Sequence, residues 1–176
     1  MAHFAELKHI TDPTGFTTET HYIVKRVIVV GNDIPAGGSI LGNNDMDPEG
    51  ELWCKENIGG QHWKQTSYNH NFRKRYAGMG MRYNEEHDVF HTTQPYTSWT
   101  YNNTTHDWDA PVAYPTIISK VIDKGEGEGP EDIQYFIEWS EANQKWIGTH
   151  NGVEHEWNPS TLAWDATGVP PLITWQ

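Results

Sequence analysis

Trp139-Ser140-Glu141-Ala142-Asn143-Gln144-Lys145-Trp146 is the stretch whose reading decides the fold: an aromatic residue, then Ser or Asn, then five mostly polar residues, then a second aromatic. The same spacing returns at Tyr83-Asn84 to Phe90, at Tyr101-Asn102 to Trp108 and at Trp157-Asn158 to Trp164. The copies fall into two evenly spaced pairs, starting at 83 and 101 and at 139 and 157, which marks an internal repeat. A β-hairpin explains it. Two strand ends carry large rings, and turn formers such as Asn84-Glu85-Glu86, Asn102-Asn103-Thr104 or Asn158-Pro159-Ser160 join them. Rings at facing positions then pack across the ladder, each pair contributing about 0.2–1 kcal/mol. One hairpin alone is marginal in water, so several must stack or rest on another surface. The predicted fold is therefore mainly β: an antiparallel sheet built from aromatic-paired hairpins with one short helix, followed by a small β-hairpin C-terminal module.

Composition limits the rest. Across 176 residues the hydrophobic fraction is 36% and the mean hydropathy is -0.74, so the core must be thin. Nine Trp, eight Tyr and five Phe compensate, because each ring buries roughly 150–250 Å². The formal net charge of -12 argues against nucleic acid, whose recognition needs a basic face. The basic cluster Arg73-Lys74-Arg75 reads as a strand face paired with surplus carboxylates or with an acidic neighbour. Cys54 is the only cysteine, which excludes an internal disulfide and a Cys-based zinc site, and it reads as a small buried residue. With no basic-then-apolar leader and a longest apolar run of Val27 to Val30, the expectation is a soluble product made in the cytoplasm, with no membrane partner.

Along the chain, His3 to Leu7 and Tyr22 to Val30 predict an antiparallel opening pair, joined through Thr11-Asp12-Pro13-Thr14-Gly15. A Gly-rich loop covers Pro35 to Asn44. A helix is predicted near 47–58, with Asp47 as N-cap, Pro48 at its first position, Leu52, Trp53 and Ile58 on its apolar side and Gly59-Gly60 as its stop. Trp63 to Thr66 and then Phe72 to Tyr83 read as strands, the second placing Ala77, Met79, Met81 and Tyr83 on one face. Thr116 to Ile122 reads as another strand. The expected organisation is a domain over 1–124, an acidic Gly-rich linker over 125–132 and a Trp-rich hairpin module over 133–176.

Chemical motifs are sparse. Asp45, Asp47, Glu49, Gly50 and Glu56 match the spacing of a calcium loop, but the fifth position is Glu and no helix enters from Gly37-Gly38-Ser39, so a helix cap accounts for the same residues. His87 and His91 straddle a predicted hairpin, where residues four apart lie roughly 13 Å apart along a strand, too far for chelation. His150 and His155 are read with the same caution. Glu85 and Asp88 could form an acid pair, but sequence alone does not place two carboxylates across a substrate. No nucleophile motif, phosphate cradle or dinucleotide fingerprint is present, so the expectation is no enzyme activity, no cofactor and no metal.

Trp63-Lys64-Gln65-Thr66-Ser67-Tyr68-Asn69, with Phe72-Arg73-Lys74 and Tyr76-Ala77-Gly78 after it, resembles a family of small proteins in tailed phages of marine bacteria, cyanophages above all. Met1-Ala2-His3-Phe4-Ala5, Val27-Ile28-Val29-Val30, Gln94-Pro95-Tyr96, Ser98-Trp99 and Trp108-Asp109-Ala110-Pro111 to Pro115 look like the same family, so the resemblance covers roughly residues 1–115. It departs in the longer loop Lys8 to Thr20 and in the inserted Thr116 to Gln134. The family is described as hypothetical, virion-structural or tail-fibre-like, and the resemblance implies a place in a virus particle, with no catalytic residues to carry over. The expected role is thus a structural protein of a phage exterior, assembled in the host cytoplasm, either decorating the capsid or belonging to the neck or tail. It would be a homo-oligomer or lattice-bound, with other virion proteins as partners. Interface centres favour Trp, Tyr and Arg, which singles out Trp53, Trp63, Phe72, Arg73, Lys74, Arg75 and Tyr76 as contact candidates. The alternative is a glycan-binding host-adsorption module with Trp139, Trp146, Trp157 and Trp164 as its platform; buried, pairwise-packed rings would favour scaffolding instead.

Overall fold

The structure, a computed structural model, describes residues 1–10, 21–41, 45–46, 48–122, 129 and 131–166. The opening strands are β1 (Ala2–Ile10) and β2 (His21–Val30), followed by the two-residue strands β3 (Pro35–Ala36) and β4 (Ser39–Ile40). Helix α1 (Pro48–Asn57) and β5 (His62–Thr66) come next, then β6 (Arg82–Asn84), β7 (Val89–His91), β8 (Thr100–Asn102) and β9 (Asp107–Asp109). The chain continues through β10 (Ser119–Ile122), β11 (Glu131–Gln134), β12 (Phe136–Ser140), β13 (Lys145–His150), β14 (Val153–Asn158) and β15 (Ala163–Ala166). Every strand pairing with a defined register is antiparallel. The fold is mainly β with one short helix, as the sequence predicts.

Two compact units are present. The first is Met1–Thr93 with Asn103–Asp107, and the second is Gln94–Asn102 with the chain from Trp108 onward. The divide expected over 125–132 is displaced to 93/94. Strand pairing is the reason: β10 pairs with β11, from Ser119↔Gln134 to Ile122↔Glu131, and so binds the two sides of that interval into one unit. Residues 125–128 and 130 lie outside the described residues, as do the turn over 11–15 and the segment 167–176.

In the first unit the strand order is β5-β1-β2-β6-β7. β1 is buried on both faces. Its Ala5 and Leu7 join Tyr22, Val24, Ala77, Tyr83 and Phe90 in one cluster, while Ala2 and Phe4 join Val30, Leu41, Cys54 and Trp63 in the other. α1 belongs to the second cluster. Pro48 opens it, Glu49 and Glu51 sit near the positive end of its dipole, Lys55 near the negative end, and Gly59 and Gly60, both at φ +85, end it. Its expected N-cap, Asp47, lies outside the described residues. The buried side differs from the expected one: Gly50 and Cys54 face inward with Trp53 packed alongside, whereas Leu52 and Ile58 are exposed. Gly50 decides this, because a Cβ there would stand 2.8 Å from Phe4 Cζ and 3.1 Å from Leu41 Cδ2. Only a bare backbone lets the helix lie so close.

The run from Phe72 to Tyr83 is not the continuous strand expected. Arg73 and Lys74 have φ of +53 and +66, and Gly80 has φ +84, conformations no strand accommodates. Ala77 is fully buried and Met79 is 81% exposed, so the predicted common face does not form. Only Arg82–Asn84 pairs, against Ile23, Tyr22 and His21 of β2.

All four aromatic repeats are hairpins. Tyr83↔Phe90, Trp139↔Trp146 and Trp157↔Trp164 are direct cross-strand partners, and β8 pairs with β9 to bring Tyr101 to Trp108. The ring centroids are 5.1, 5.2, 5.2 and 5.2 Å apart for the pairs starting at 83, 101, 139 and 157. The tips share a backbone device: Asp88, His106, Gln144 and Leu162, each five residues after the first ring, have φ of +52, +53, +50 and +53. The Asn or Ser after the first ring shapes the turn. Asn84 Oδ1 accepts from His87 N at 3.1 Å, Ser140 Oγ from Asn143 N at 3.4 Å, and Asn158 Oδ1 from Ser160 N and Thr161 N at 3.1 and 3.3 Å.

In the second unit, β12-β13-β14-β15 form a meander whose one face collects Trp139, Trp146 and Trp157 with Trp164 and Ile137. Tyr96, Trp99, Ala110 and Val112 cover that face. Two indole N–H groups are satisfied locally, Trp146 Nε1 donating to Val112 O at 2.9 Å and Trp164 Nε1 to Ile117 O at 2.7 Å, whereas the buried Trp99 Nε1 has no hydrogen-bond partner among the described residues. Among the described residues no helix is long and apolar enough to cross a membrane.

Candidate functional site

The irregular segment after β5 builds the most site-like feature of the first unit. Thr66, Ser67 and His70 use their side chains as backbone acceptors: Thr66 Oγ1 takes Ala77 N at 2.7 Å, Ser67 Oγ takes Asn71 N at 3.1 Å, and His70 Nδ1 takes Tyr76 N at 3.0 Å. Such bonds replace a ladder that this stretch cannot join. His70, Arg73 and Lys74 all lie in the left-handed region, costing about 1–2 kcal/mol each for residues with a Cβ. The surroundings must hold them there. Arg73, buried, does so with a fork of hydrogen bonds to Glu51 Oε1 at 2.9 Å, Asp88 Oδ1 at 2.6 Å and Gln65 O at 2.7 Å, tying α1, β5 and a hairpin tip together. Lys74 and Arg75 both bind Asp107. Burial alone would raise the Asp107 carboxyl, but the Lys74 and Arg75 bonds and charges outweigh it and hold the group below its ordinary value.

Beside this segment lies a groove of about 490 Å³, lined among others by His3, Asn32, Asp45, Tyr68, Asn69 and Asn71. The Tyr68 ring is 69% exposed, yet it is fixed. His3 stacks on it at 6.1 Å and 25°, Tyr76 meets it edge-on at 5.5 Å, and His3 and Tyr76 meet each other at 5.5 Å. Burial lowers the His3 pKa and favours a neutral ring. The side chains of Asn32, Asn69 and Asn71 are exposed and hydrogen-bond to no other described residue.

The contact candidates taken from the sequence scatter. Trp63 is buried, with its Nε1 donating to Gly59 O at 2.8 Å, and Arg73 is buried among carboxylates, so neither presents a surface. Lys74 and Arg75 are half-buried and occupied by Asp107, and Tyr76 is half-buried against His3 and Tyr68. Trp53 and Phe72 are half-buried, Phe72 at the groove. The platform candidates fare likewise: Trp139, Trp146 and Trp157 are buried and only Trp164 is half-exposed.

Of the weaker motifs, Asp88 is engaged by Arg73 and by the Tyr83 hydroxyl, which removes it from any acid pair with Glu85. Tyr83 is pushed up, first by burial and then by that carboxylate. His87 packs edge-on against His106 at 4.7 Å while His91 is buried, so the two do not converge. His150 and His155 flank Tyr135 at 5.9 and 5.6 Å; burial, Lys120 and His150 lower the His155 pKa. Among the described residues no three His, Cys, Asp or Glu side chains gather as metal ligands, and Asp47 of the calcium-like spacing lies outside them. Burial, then the Glu51 charge, push the Cys54 thiol up to about 12, which makes it inert.

Sequence reasoning missed His3, Tyr68, Asn69 and Asn71 as one site. The available signal was Ser67-Tyr68-Asn69-His70-Asn71, five turn-forming or aromatic residues without periodicity directly after a strand. The chain matches no family model, no curated protein and no solved structure.

Proposed function

We propose that this protein is a structural component of a tailed-phage virion exterior, a capsid decoration or a neck or tail accessory, acting by protein–protein assembly and not by catalysis. The observation that carries the reading is the use of the aromatic residues: eight rings are spent in four hairpin clasps, with centroids 5.1 to 5.2 Å apart, a construction for shape. The resemblance over residues 1–115 supplies the virion context. The contact surface lies elsewhere than at Trp63 and Arg73. Within the second unit, Ile117, Ile118, Val121 and Phe136 are exposed apolar side chains of the kind that a repeated, symmetric attachment covers, where many weak contacts add. Glycan adsorption through Trp139, Trp146, Trp157 and Trp164 is disfavoured, because three of the four rings are buried.

Purified particles test this directly. Mass spectrometry of gradient-purified virions should find the protein at a fixed copy number, and gold-labelled antibody should place it on the head, neck or tail surface. Its confinement to the soluble lysate, absent from particles, would refute the reading.

A further inference from the structure

We propose that the groove beside Tyr68 binds a neutral saccharide. This inference concerns the first unit alone and stands whether or not the protein is part of a virion.

Three features of the groove fit that ligand class together. A pyranose presents one apolar C–H face, and the Tyr68 ring offers an exposed flat surface for it. His3 and Tyr76 brace that ring, so ordering it on binding costs little. A saccharide's remaining surface is hydroxyl, each group both donor and acceptor. The primary amides of Asn32, Asn69 and Asn71 supply a donor and an acceptor apiece, and Asp45 adds a carboxylate acceptor. Charge completes the selection. Among the described residues lining it, Asp45 is the one acidic side chain and no Lys or Arg is present; the Met1 amino group is a single nearby positive charge, His3 is held toward its neutral form, and the chain carries -12 overall, so sialylated, sulfated or phosphorylated ligands are disfavoured. A volume of about 490 Å³ accommodates one to two sugar rings.

The strained segment gives this reading a mechanical basis. Left-handed φ values at His70, Arg73 and Lys74 turn the chain sharply on either side of Asn71, and the Arg73 fork locks that path against α1 and β5. Backbone strain held by its surroundings positions side chains that a relaxed loop would leave averaged. Here it sets the backbone that carries Asn71 next to Asn69 and Tyr68, and His3 and Tyr76 fix the Tyr68 ring.

The test is a glycan array probed with the full chain, followed by titration of the best neutral oligosaccharide. Neutral hexose- or N-acetylhexosamine-containing glycans should be retained over sialylated and sulfated ones. Tyr68→Ala and Asn69→Ala should each weaken binding about tenfold or more. Both side chains are exposed, so far-UV circular dichroism and the unfolding midpoint should stay at wild-type values. Trp164→Ala, in the other unit, should leave affinity unchanged. No binding to any neutral glycan at millimolar ligand, a preference for anionic glycans, or undiminished binding by a folded Tyr68→Ala variant would each overturn the proposal.

Discussion

The Tyr83–Phe90 and Trp157–Trp164 hairpins close the same turn with rings 5.1 and 5.2 Å apart and the same left-handed tip, at φ +52 and +53. Their surroundings differ. In the first unit Phe90 is fully buried in one cluster with Ala5 and Leu7 of β1 and Tyr22 and Val24 of β2, and the tip residue Asp88 is recruited by Arg73 and Tyr83. In the second unit Trp164 is half-exposed, and the tip residue Leu162 projects into solvent. The eight-residue pattern therefore specifies the hairpin, while the neighbouring sheet decides whether ring and tip become core or surface. Ring truncation should break the comparison most visibly. Phe90→Ala removes a side chain with no solvent exposure and should cost about 3–5 kcal/mol, a large share of the stability of a small unit. Trp164→Ala should cost distinctly less. Hydrogen exchange read by unit checks this: Phe90→Ala should strip protection from residues 2–7 and spare 137–157, and equal losses from both variants would contradict it.

The second contrast lies between two glycines under aromatic rings. A Cβ at Gly148 would stand 2.8 to 3.1 Å from three atoms of the Trp164 ring. A strand gives Ala a smaller gain over Gly than a helix does, about 0.5 kcal/mol, which the clash with the indole exceeds, so Gly148→Ala should destabilise the second unit by about 1–3 kcal/mol. At Gly50 the clash with Phe4 and Leu41 is similar, but α1 favours Ala over Gly by about 1 kcal/mol, which offsets part of it. Urea denaturation of the two variants should rank Gly148→Ala as the more damaging.

What the sequence made legible follows from the same contrast. The clasps were readable because ring, turn former and second ring lie within eight residues, and local chemistry dictates them. The opening pair, the helix and its Gly59-Gly60 stop were readable for the same reason. The 72–83 segment was not. Its alternation of Ala77, Met79 and Met81 imitates a strand, and only the distant carboxylates of Glu51 and Asp88, closing on Arg73, make a left-handed path affordable. The groove was equally hidden, since it joins His3 and Asn32 to the loop after β5 through strand order. The domain boundary was misplaced because glycines and acids at 125–132 signal a break in composition, whereas pairing of β10 with β11 carries the unit across it.

Acid should separate the units more gently. Glu141, at the third clasp's tip, accepts from Ser98 Oγ at 2.6 Å, Ser98 N at 2.8 Å, Trp139 Nε1 at 2.8 Å and the Thr97 hydroxyl at 2.5 Å. The bonds from Ser98, Thr97 and Trp139 lower its pKa from 4.5 to about 2. A depressed folded pKa means that the contribution is complete above pH 4.5 and disappears as pH falls through about 2. Indole emission, which includes Trp99 and Trp139, should therefore shift as pH falls from about 4.5 to about 2. Glu141→Gln should flatten that shift, because no proton remains to be taken up; an unchanged acid profile would assign it to other carboxylates, such as Asp107.

The smallest effect isolates the tip itself. Leu162 holds φ +53 with a 56% exposed side chain, so it bears the left-handed cost with little packing in return. Glycine adopts that conformation freely, although it also loosens the unfolded chain. The net for Leu162→Gly should be a stabilisation of about 0.5–1 kcal/mol, visible as a raised unfolding midpoint of the second unit. The same change at Asp88 meets the same φ and should have the opposite sign, because it strips a carboxylate from buried Arg73 and from the Tyr83 hydroxyl. If both glycines stabilised, the Asp88 contacts would contribute nothing net, and the two hairpins would differ in burial alone. If both destabilised, the tip side chains would matter more than their backbone angle, and the shared left-handed residue would be a consequence of the clasp instead of a strain within it.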